Sequence, residues 1–68
     1  MSRFLRGARA IGRKLAELGV LPPEEDDEKL ADLVYYLDRS GKFKFDRFGD
    51  EYISTPEKLE RQAKQLVS

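Results

Sequence analysis

The sequence predicts an α+β domain, mainly helical, in which two helices, a β-hairpin and a third helix form one compact single domain over 1–68. Three observations support this class. Apolar residues recur at helical spacing in three segments, Gly and Pro separate those segments, and six of the seven aromatic residues lie between 35 and 52. Because a chain of 68 residues buries little apolar surface, these rings must supply much of the core.

The first helix is predicted over 3–18. Its apolar residues recur at spacings of four and three, which places them on one face: Phe4, Ala8, Ile11, Leu15 and Leu18. Gly7 and Gly12 each cost about 1 kcal/mol relative to Ala inside a helix, so packing or binding must hold this helix together. Gly19 and the two prolines that follow end the helix and form a turn over 19–23.

The second helix is predicted over 24–39. Acidic residues fill 24–28, where the helix dipole favours negative charge. Its inward stripe consists of Leu30, Leu33, Val34 and Leu37. Gly41 provides the stop, because glycine readily takes the left-handed conformation that follows many helices.

A β-hairpin is predicted over 42–54. Lys and Phe alternate through 42–45 with the period of a strand, Asp46 and Gly49 suit the first and last positions of a type I turn, and 51–54 returns. A lone hairpin is unstable in water, so its aromatic face is expected to pack on the helices.

The register of this hairpin stays open. A four-residue loop pairs Phe43 with Tyr52. The same loop places Lys44 opposite Glu51, and both pairs are favourable across strands. A three-residue loop, with the glycine in a bulge, pairs Phe43 with Ile53 instead.

The alternative for the same stretch is an all-α domain with a metal-free loop shaped like an EF-hand at 36–47. Counting Gly41 as the sixth loop position makes Tyr36 the first and Arg47 the twelfth. Calcium requires oxygen ligands at both positions, so we expect no metal site. The alternation of Lys and Phe favours the hairpin.

The third helix is predicted over 56–67. Thr55 offers an N-cap hydroxyl and Pro56 suits the first helical turn. The apolar stripe consists of Leu59, Ala63, Leu66 and Val67. The elements together predict a core formed by Leu15, Leu18, Leu30, Leu33, Val34, Leu37, Phe43, Phe45, Ile53, Leu59 and Leu66.

Thirteen basic and thirteen acidic residues cancel, but their distribution is uneven. The segment 1–20 holds five basic groups and one acidic, a balance of +4, whereas 21–33 holds one basic group and six acidic, a balance of −5. The turn between the helices is expected to bring Arg13 and Lys14 close to the acids at 24–28. The two blocks would then mainly screen each other.

The composition argues against catalysis and against metal binding. The chain has no His and no Cys, which removes the commonest catalytic base and the usual nitrogen and sulfur ligands of zinc. Its carboxylates need a cleft to act as acid and base, and so small a domain hardly encloses one. We therefore expect a protein that is not an enzyme, holds no cofactor and takes no small-molecule substrate.

The first functional hypothesis is a small non-catalytic interaction module, an adaptor or inhibitor. Exposed rings flanked by charge suit the centre of a protein interface, and the amphipathic N-terminal helix carries an arginine face. The partner is expected to be a protein, a second copy of the chain or a larger assembly. Candidate partner-binding residues are Arg3, Arg6, Arg9, Arg13, Tyr35, Phe48 and Tyr52. Whether Phe48 and Tyr52 lie in the core or at an interface stays open.

The second hypothesis is a small nucleic-acid-binding protein, in which the arginine face and the hairpin follow a phosphate backbone. Its candidate residues are Arg6, Arg9, Arg13, Lys42, Lys44 and Arg47. Binding to a membrane surface is not expected, because two glycines and three alanines weaken the apolar side of the first helix. With no apolar run near the ~20 residues of a membrane span, the chain is expected to be soluble, intracellular and cytoplasmic.

Overall fold

The computed structural model describes residues 6–67, with Val67 described by its backbone alone. Within this range three α-helices and one antiparallel hairpin follow in the order α1 Ala8–Glu17, α2 Asp27–Ser40, β1 Arg47–Phe48, β2 Glu51–Tyr52 and α3 Pro56–Val67. The predicted α+β class and the predicted order of elements are confirmed. The all-α alternative with an EF-hand-like loop is wrong, because its first positions belong to α2 and its last belongs to β1.

The first helix is shorter than predicted, because α1 begins at Ala8. Of the predicted residues before it, those at 3–5 lie outside the described part of the chain, and Arg6 and Gly7 are not helical. Gly7 has a φ of 85°, in the left-handed region that favours glycine. The apolar spacing did not reveal this start, because Phe4 continues the same spacing four residues before Ala8.

Arg6 forms a backbone pairing with the hairpin instead of a helical turn. Its N–H donates to the carbonyl oxygen of Asp50 at 3.0 Å, and the N–H of Tyr52 donates to its carbonyl oxygen at 2.8 Å. At Gly7 the chain then turns so close to the hairpin that a Cβ would lie 2.8 Å from the carbonyl oxygen of Tyr52. The segment entering α1 is therefore fixed against β2.

The helices α1 and α2 cross in close contact at Gly12. A Cβ at this position would lie 2.8 Å from the Cβ of Leu30 and 3.0 Å from its carbonyl carbon. This explains a glycine inside a helix, because the loss of helix propensity is offset by closer packing. The side chains buried along the two helices are Ala8, Ile11, Leu15, Leu30, Ala31 and Val34.

The second helix begins at Asp27, three residues later than predicted. Asp26 is the N-cap, and its carboxylate accepts a hydrogen bond from the N–H of Glu28 at 2.9 Å. The carboxylate of Glu24 accepts from the next two backbone N–H groups at 2.8 and 3.3 Å. Asp26 thus caps the helix, and Glu24 and Glu25 lie before it instead of forming its first turn. Gly41, with a φ of 75°, terminates α2 as predicted.

The hairpin is shorter than predicted, and both predicted registers are wrong. Arg47 pairs with Tyr52 and Phe48 pairs with Glu51, leaving a two-residue turn. Gly49 has a φ of 61°, the positive value that the first central residue of a type II′ turn requires.

The segment 43–46 is not a strand, although its sequence alternates. The side-chain amide of Gln62 on α3 forms two hydrogen bonds with the backbone of Lys44. The Oε1 of Gln62 accepts from the N–H of Lys44 at 3.0 Å, and the Nε2 of Gln62 donates to the carbonyl oxygen of Lys44 at 2.6 Å. One side chain therefore supplies the two hydrogen bonds that a neighbouring strand would have made.

Three aromatic rings form the part of the core nearest the hairpin. Phe43 and Phe45 lie with ring centroids 5.0 Å apart, and Phe45 meets Tyr52 edge to face at 5.5 Å. The expectation that the aromatic face of this stretch packs inward is therefore confirmed. Phe43 and Tyr52 are buried, whereas Phe45 is half-buried.

The predicted core is confirmed except at two positions. Leu15, Leu30, Val34, Phe43 and Leu59 are buried, and Leu18, Leu33, Leu37 and Phe45 pack against them while partly buried. Ile53 and Leu66 are 50% and 52% exposed, so their assignment to the core is wrong. Ile53 is turned outward by the hairpin register, and Leu66 lies in the last turn of α3, beyond Ala63. Leu21, Ala63 and Tyr52 are also buried, although they were not among the predicted core residues.

Between residues 6 and 67, none of the helices combines the length and the apolar character needed to cross a bilayer.

Candidate interaction surfaces

Arg13 joins α1 to the acidic segment at 24–28. Its guanidinium donates to the carbonyl oxygen of Glu24 at 2.8 Å and to that of Glu25 at 3.1 Å. The same group forms an ion pair with the carboxylate of Asp27. The planar guanidinium thus meets three acceptors at once, a geometry that the ammonium group of lysine does not reproduce. The expected contact between the basic and acidic blocks is confirmed at this residue.

Two other basic residues of α1 also form ion pairs. Arg9 lies 3.4 Å from a carboxylate oxygen of Glu28, with both side chains more than half exposed. Lys14 was expected beside the acids at 24–28, but its Nζ lies 3.0 Å from Glu60 on α3. The expectation for Lys14 is wrong, because it lies one residue along from Arg13, which turns it toward another helix.

The predicted arginine face is therefore not a continuous free surface. Arg3 lies outside the described residues. The backbone of Arg6 pairs with the hairpin, and its side chain is exposed. Arg9 and Arg13 are directed toward acidic partners of the same chain.

The basic residues of the hairpin region belong to a different part of the molecule. Arg47 lies 3.3 Å from the carboxylate of Asp38, with its guanidinium 5.6 Å from the ring centroid of Tyr52. Asp38 and Asp27 are eleven residues apart on α2, about 16 Å along the helix axis. Arg47 and Arg13 are thus held near opposite ends of α2. Lys42 and Lys44 are exposed.

Tyr52 was predicted as a partner-binding residue, but its side chain is buried, with 4% of its surface exposed. Its hydroxyl donates to the carboxylate of Asp38 at 2.9 Å. Burial, together with this hydrogen bond and the negative charge of Asp38, raises the pKa of Tyr52 to about 12. Of the two positions left open for Tyr52, core or interface, the isolated chain therefore places it in the core.

The outer side of the hairpin presents an apolar surface, the hairpin patch, formed by Phe48 and Ile53. The register turns Arg47 and Tyr52 toward α2, so Phe48 and Glu51 occupy the opposite side. The N–H of Ile53 donates to the carbonyl oxygen of Asp46 at 2.8 Å, which continues the alternation and places Ile53 on the same outer side. Phe48 is 78% exposed and Ile53 is 50% exposed.

The outer side of α2 presents a second surface, the tyrosine face, formed by Asp32, Tyr35, Tyr36 and Arg39. Tyr35 is 44% exposed and Tyr36 is 66% exposed. The guanidinium of Arg39 lies 5.7 Å from the ring centroid of Tyr35. These residues, with Leu33 and Ser40, line an open depression of about 630 Å³. Tyr35 was predicted as a partner-binding residue, and both it and Tyr36 are exposed.

The chemistry that these surfaces offer is contact and charge pairing. Among residues 6–67, no group of three or more His, Cys, Asp or Glu side chains is arranged to hold a metal ion. All described buried side-chain polar atoms have a hydrogen-bond partner. The hairpin patch and the tyrosine face are therefore the exposed apolar surfaces that the internal packing of this chain does not account for.

Sequence reasoning missed two features of these surfaces. The outward position of Ile53 depends on the two-residue turn. The sequence signal for that turn is the pair Gly49 and Asp50, which fits a two-residue turn as well as it fits the longer loops. The joint role of Asp38 as acceptor for Arg47 and Tyr52 had no signal in the sequence, because the three residues are brought together only by the docking of the hairpin.

A comparison of the chain with protein-family models, with curated proteins and with solved structures finds no significant match.

Proposed function

We propose that this chain is a cytoplasmic, non-catalytic interaction module that binds a protein partner through the hairpin patch. The observation that supports this proposal is the position of Phe48, which is 78% exposed beside a turn. Burying a Phe side chain stabilises a complex by about 1.5–3 kcal/mol, so an exposed Phe is a strong anchor for a partner.

The surroundings of Phe48 favour a protein partner of mixed apolar and basic character. Ile53 enlarges the apolar surface, and the acid Glu51 lies on the same side of the hairpin. Asp46 also lies on this side, but its carboxylate is paired with Lys58 of α3 at 2.7 Å. An apolar centre with a charged rim is the usual composition of a protein interface. Arg6 pairs with β2 and adds a positive charge at the border of the patch.

Nucleic-acid binding has less support. Arg9, Arg13 and Arg47 are already paired with carboxylates, which phosphates would have to displace. The remaining cations of that hypothesis are Arg6, Lys42 and Lys44. Two of these lie in the segment before β1 and the third precedes α1.

A photo-crosslinking experiment tests the proposed function. The photoreactive residue p-benzoylphenylalanine replaces Phe48 in one sample and Glu57, an exposed residue of α3, in a matched control. After irradiation in extract of the native source, position 48 is expected to give a discrete adduct and position 57 none. Excess wild-type protein should suppress the adduct, and excess Phe48→Asp protein should not.

The proposal is overturned by two results. One is an adduct pattern that is the same at positions 48 and 57. The other is suppression of the adduct by Phe48→Asp as effectively as by the wild type. Circular dichroism of Phe48→Asp serves as the folding control, because a side chain exposed in the isolated chain is expected to tolerate this change.

A further inference from the structure

The tyrosine face carries an acid, Asp32, toward one end and a base, Arg39, toward the other. Successive residues of an α-helix advance by 100°, so Asp32, Tyr36 and Arg39 lie within about 60° of one another around α2. All three are exposed, and within residues 6–67 Asp32 takes part in no ion pair. An acid, a ring and a base thus follow one another along the outer side of the helix.

We propose that the tyrosine face binds a second copy of this chain, with the two α2 helices antiparallel about a two-fold axis. Asp32 and Arg39 are seven residues apart, about 10.5 Å along the helix. An axis midway between them places Asp32 of each copy opposite Arg39 of the other. The same contact therefore forms twice, as an isologous interface requires.

The charges exclude the parallel arrangement of the same two helices. A parallel pair places Asp32 opposite Asp32 and Arg39 opposite Arg39, and such like-charge contacts are costly in an interface. Only the antiparallel pair satisfies both charges of each copy. The charge complementarity thus selects a second copy, in one orientation, as the occupant of this face.

The side chains between the two charges suit the centre of such an interface. Tyr35 and Tyr36 lie at the midpoint of the pattern, so four rings meet around the proposed axis. The depression of about 630 Å³ on this face offers room for a ring of the second copy. Tyr and Arg are the residue types most enriched at the energetic centres of protein interfaces.

The expected dimer is of moderate affinity. A contact between two helices of 14 residues is small beside the ~1,200–2,000 Å² of a standard protein interface. We therefore expect a dissociation constant in the range of about 10–100 µM. Sedimentation equilibrium of the whole chain from about 5 µM to about 1 mM covers this range.

Charge reversal tests the geometry. Asp32→Arg and Arg39→Asp are each expected to weaken self-association at least about tenfold, because each creates two like-charge contacts per dimer. An equal mixture of these two variants should associate again, since every contact then joins an acid and a base. The double variant Asp32→Arg/Arg39→Asp should also dimerise, because it restores both contacts in exchanged form.

The controls separate this proposal from the hairpin patch. Phe48→Asp is expected to leave the dimerisation constant unchanged, and circular dichroism should show the same helix content in all variants. The proposal is overturned if the wild type stays monomeric at about 1 mM, or if the single reversals dimerise like the wild type. It is also overturned if Phe48→Asp abolishes dimerisation, which would place the second copy on the hairpin patch.

Discussion

Gly12 shows how a single missing side chain sets the distance between α1 and α2. Its Cα faces Leu30 so closely that a methyl group would lie 2.8 Å from the Leu30 Cβ, inside the normal contact distance. The opposing position belongs to a buried backbone segment, which does not move aside as a flexible side chain would. The close crossing in turn buries Ile11 and Leu15 against α2.

Gly12→Ala is expected to destabilise the fold. At an exposed helix position this change stabilises by about 1 kcal/mol, because Ala is the better helix former. Here we expect the free energy of unfolding to fall by about 1–2 kcal/mol instead, since overpacking of a core costs about 1–3 kcal/mol. Urea denaturation followed by circular dichroism measures the difference. Gly12→Ser should cost still more, and a gain in stability for Gly12→Ala would contradict the close crossing.

Tyr52 links the hairpin to α2 through one hydroxyl. The burial of this hydroxyl, together with its hydrogen bond to Asp38, makes stability depend on pH. Its pKa is raised to about 12, so the folded protein keeps the phenolic proton at pH values where the unfolded chain loses it. The contribution is fully present below the unfolded pKa of about 10 and is lost as pH rises toward 12. Two pKa units correspond to a change of about 2.7 kcal/mol.

Tyr52→Phe is expected to reveal this contribution. At pH 8 the variant should be less stable than the wild type by about 1 kcal/mol, because Asp38 loses one hydrogen bond. The difference should shrink and then reverse as pH rises from 10 to 12, since only the wild type has a buried phenol to ionise, and this costs more than the hydrogen bond contributes. Urea midpoints across this range measure it. Tyr36→Phe, at an exposed ring, is the control, and parallel pH curves for wild type and Tyr52→Phe would refute the assignment.

At the scale of elements, the connection from α1 to the start of α2 depends on one guanidinium. Arg13 bonds to two backbone carbonyl oxygens and to a carboxylate within the segment that precedes and begins α2. That segment is also ordered by Glu24 and Asp26, whose carboxylates cap backbone N–H groups. Arg13 therefore adds a three-point attachment to a segment that is also held by local hydrogen bonds, by the packing of Val20 and Leu21 and by the ion pair of Glu24 with Lys29.

Arg13→Lys is expected to weaken this connection even though the charge is kept. A single ammonium cannot reach all three acceptors, so we expect a loss of about 1 kcal/mol in the free energy of unfolding. Arg9→Lys is the matched control, because Arg9 makes one exposed ion pair and should change stability by less than about 0.5 kcal/mol. Equal effects of the two substitutions in urea denaturation would show that the forked geometry is unimportant.

How well each element was predicted follows from where its determining contacts lie. The end of α2 at Gly41 and the start of α3 at Pro56 depend on local residues, and both were predicted within one residue. The start of α1 and the hairpin register depend on distant contacts. Arg6 pairs with β2, and Gln62 on α3 occupies the backbone of Lys44. Local patterns carry no information about such partners.

The candidate surfaces follow the same rule. The exposure of Phe48 and Tyr35 was anticipated as one of two outcomes, because a ring beside a turn or at the edge of a helical stripe has few neighbours. Tyr52 is buried because the docked hairpin places its ring against Phe45 and its hydroxyl beside Asp38 on α2. Similarly, the pairing of Arg13 with the acidic segment was expected from the short turn between them, whereas the contact of Lys14 with α3 was not.

At the scale of the whole molecule, a net charge of zero conceals two blocks that neutralise each other in space. Asp27 and Glu28, at the start of α2, hold Arg13 and Arg9 of α1. A polyanion that approaches α1 therefore meets carboxylates beside every described arginine of the helix. Phosphate contacts would form only at the cost of these ion pairs, so affinity for nucleic acid should be low in spite of the basic sequence.

The double variant Asp27→Asn/Glu28→Gln tests this neutralisation. It raises the net charge to about +2 and releases both arginines, so binding of a labelled DNA duplex at about 50 mM salt should become measurably tighter than for the wild type, and should weaken steeply with added salt. Glu51→Gln/Glu57→Gln is the control, because it raises the net charge by the same amount at two exposed residues that hold none of the described basic residues of α1, and it should have a smaller effect. Fluorescence anisotropy measures all three proteins. Tight, salt-sensitive binding by the wild type would instead mean that phosphates displace the carboxylates, and nucleic-acid binding would then replace protein binding as the favoured function.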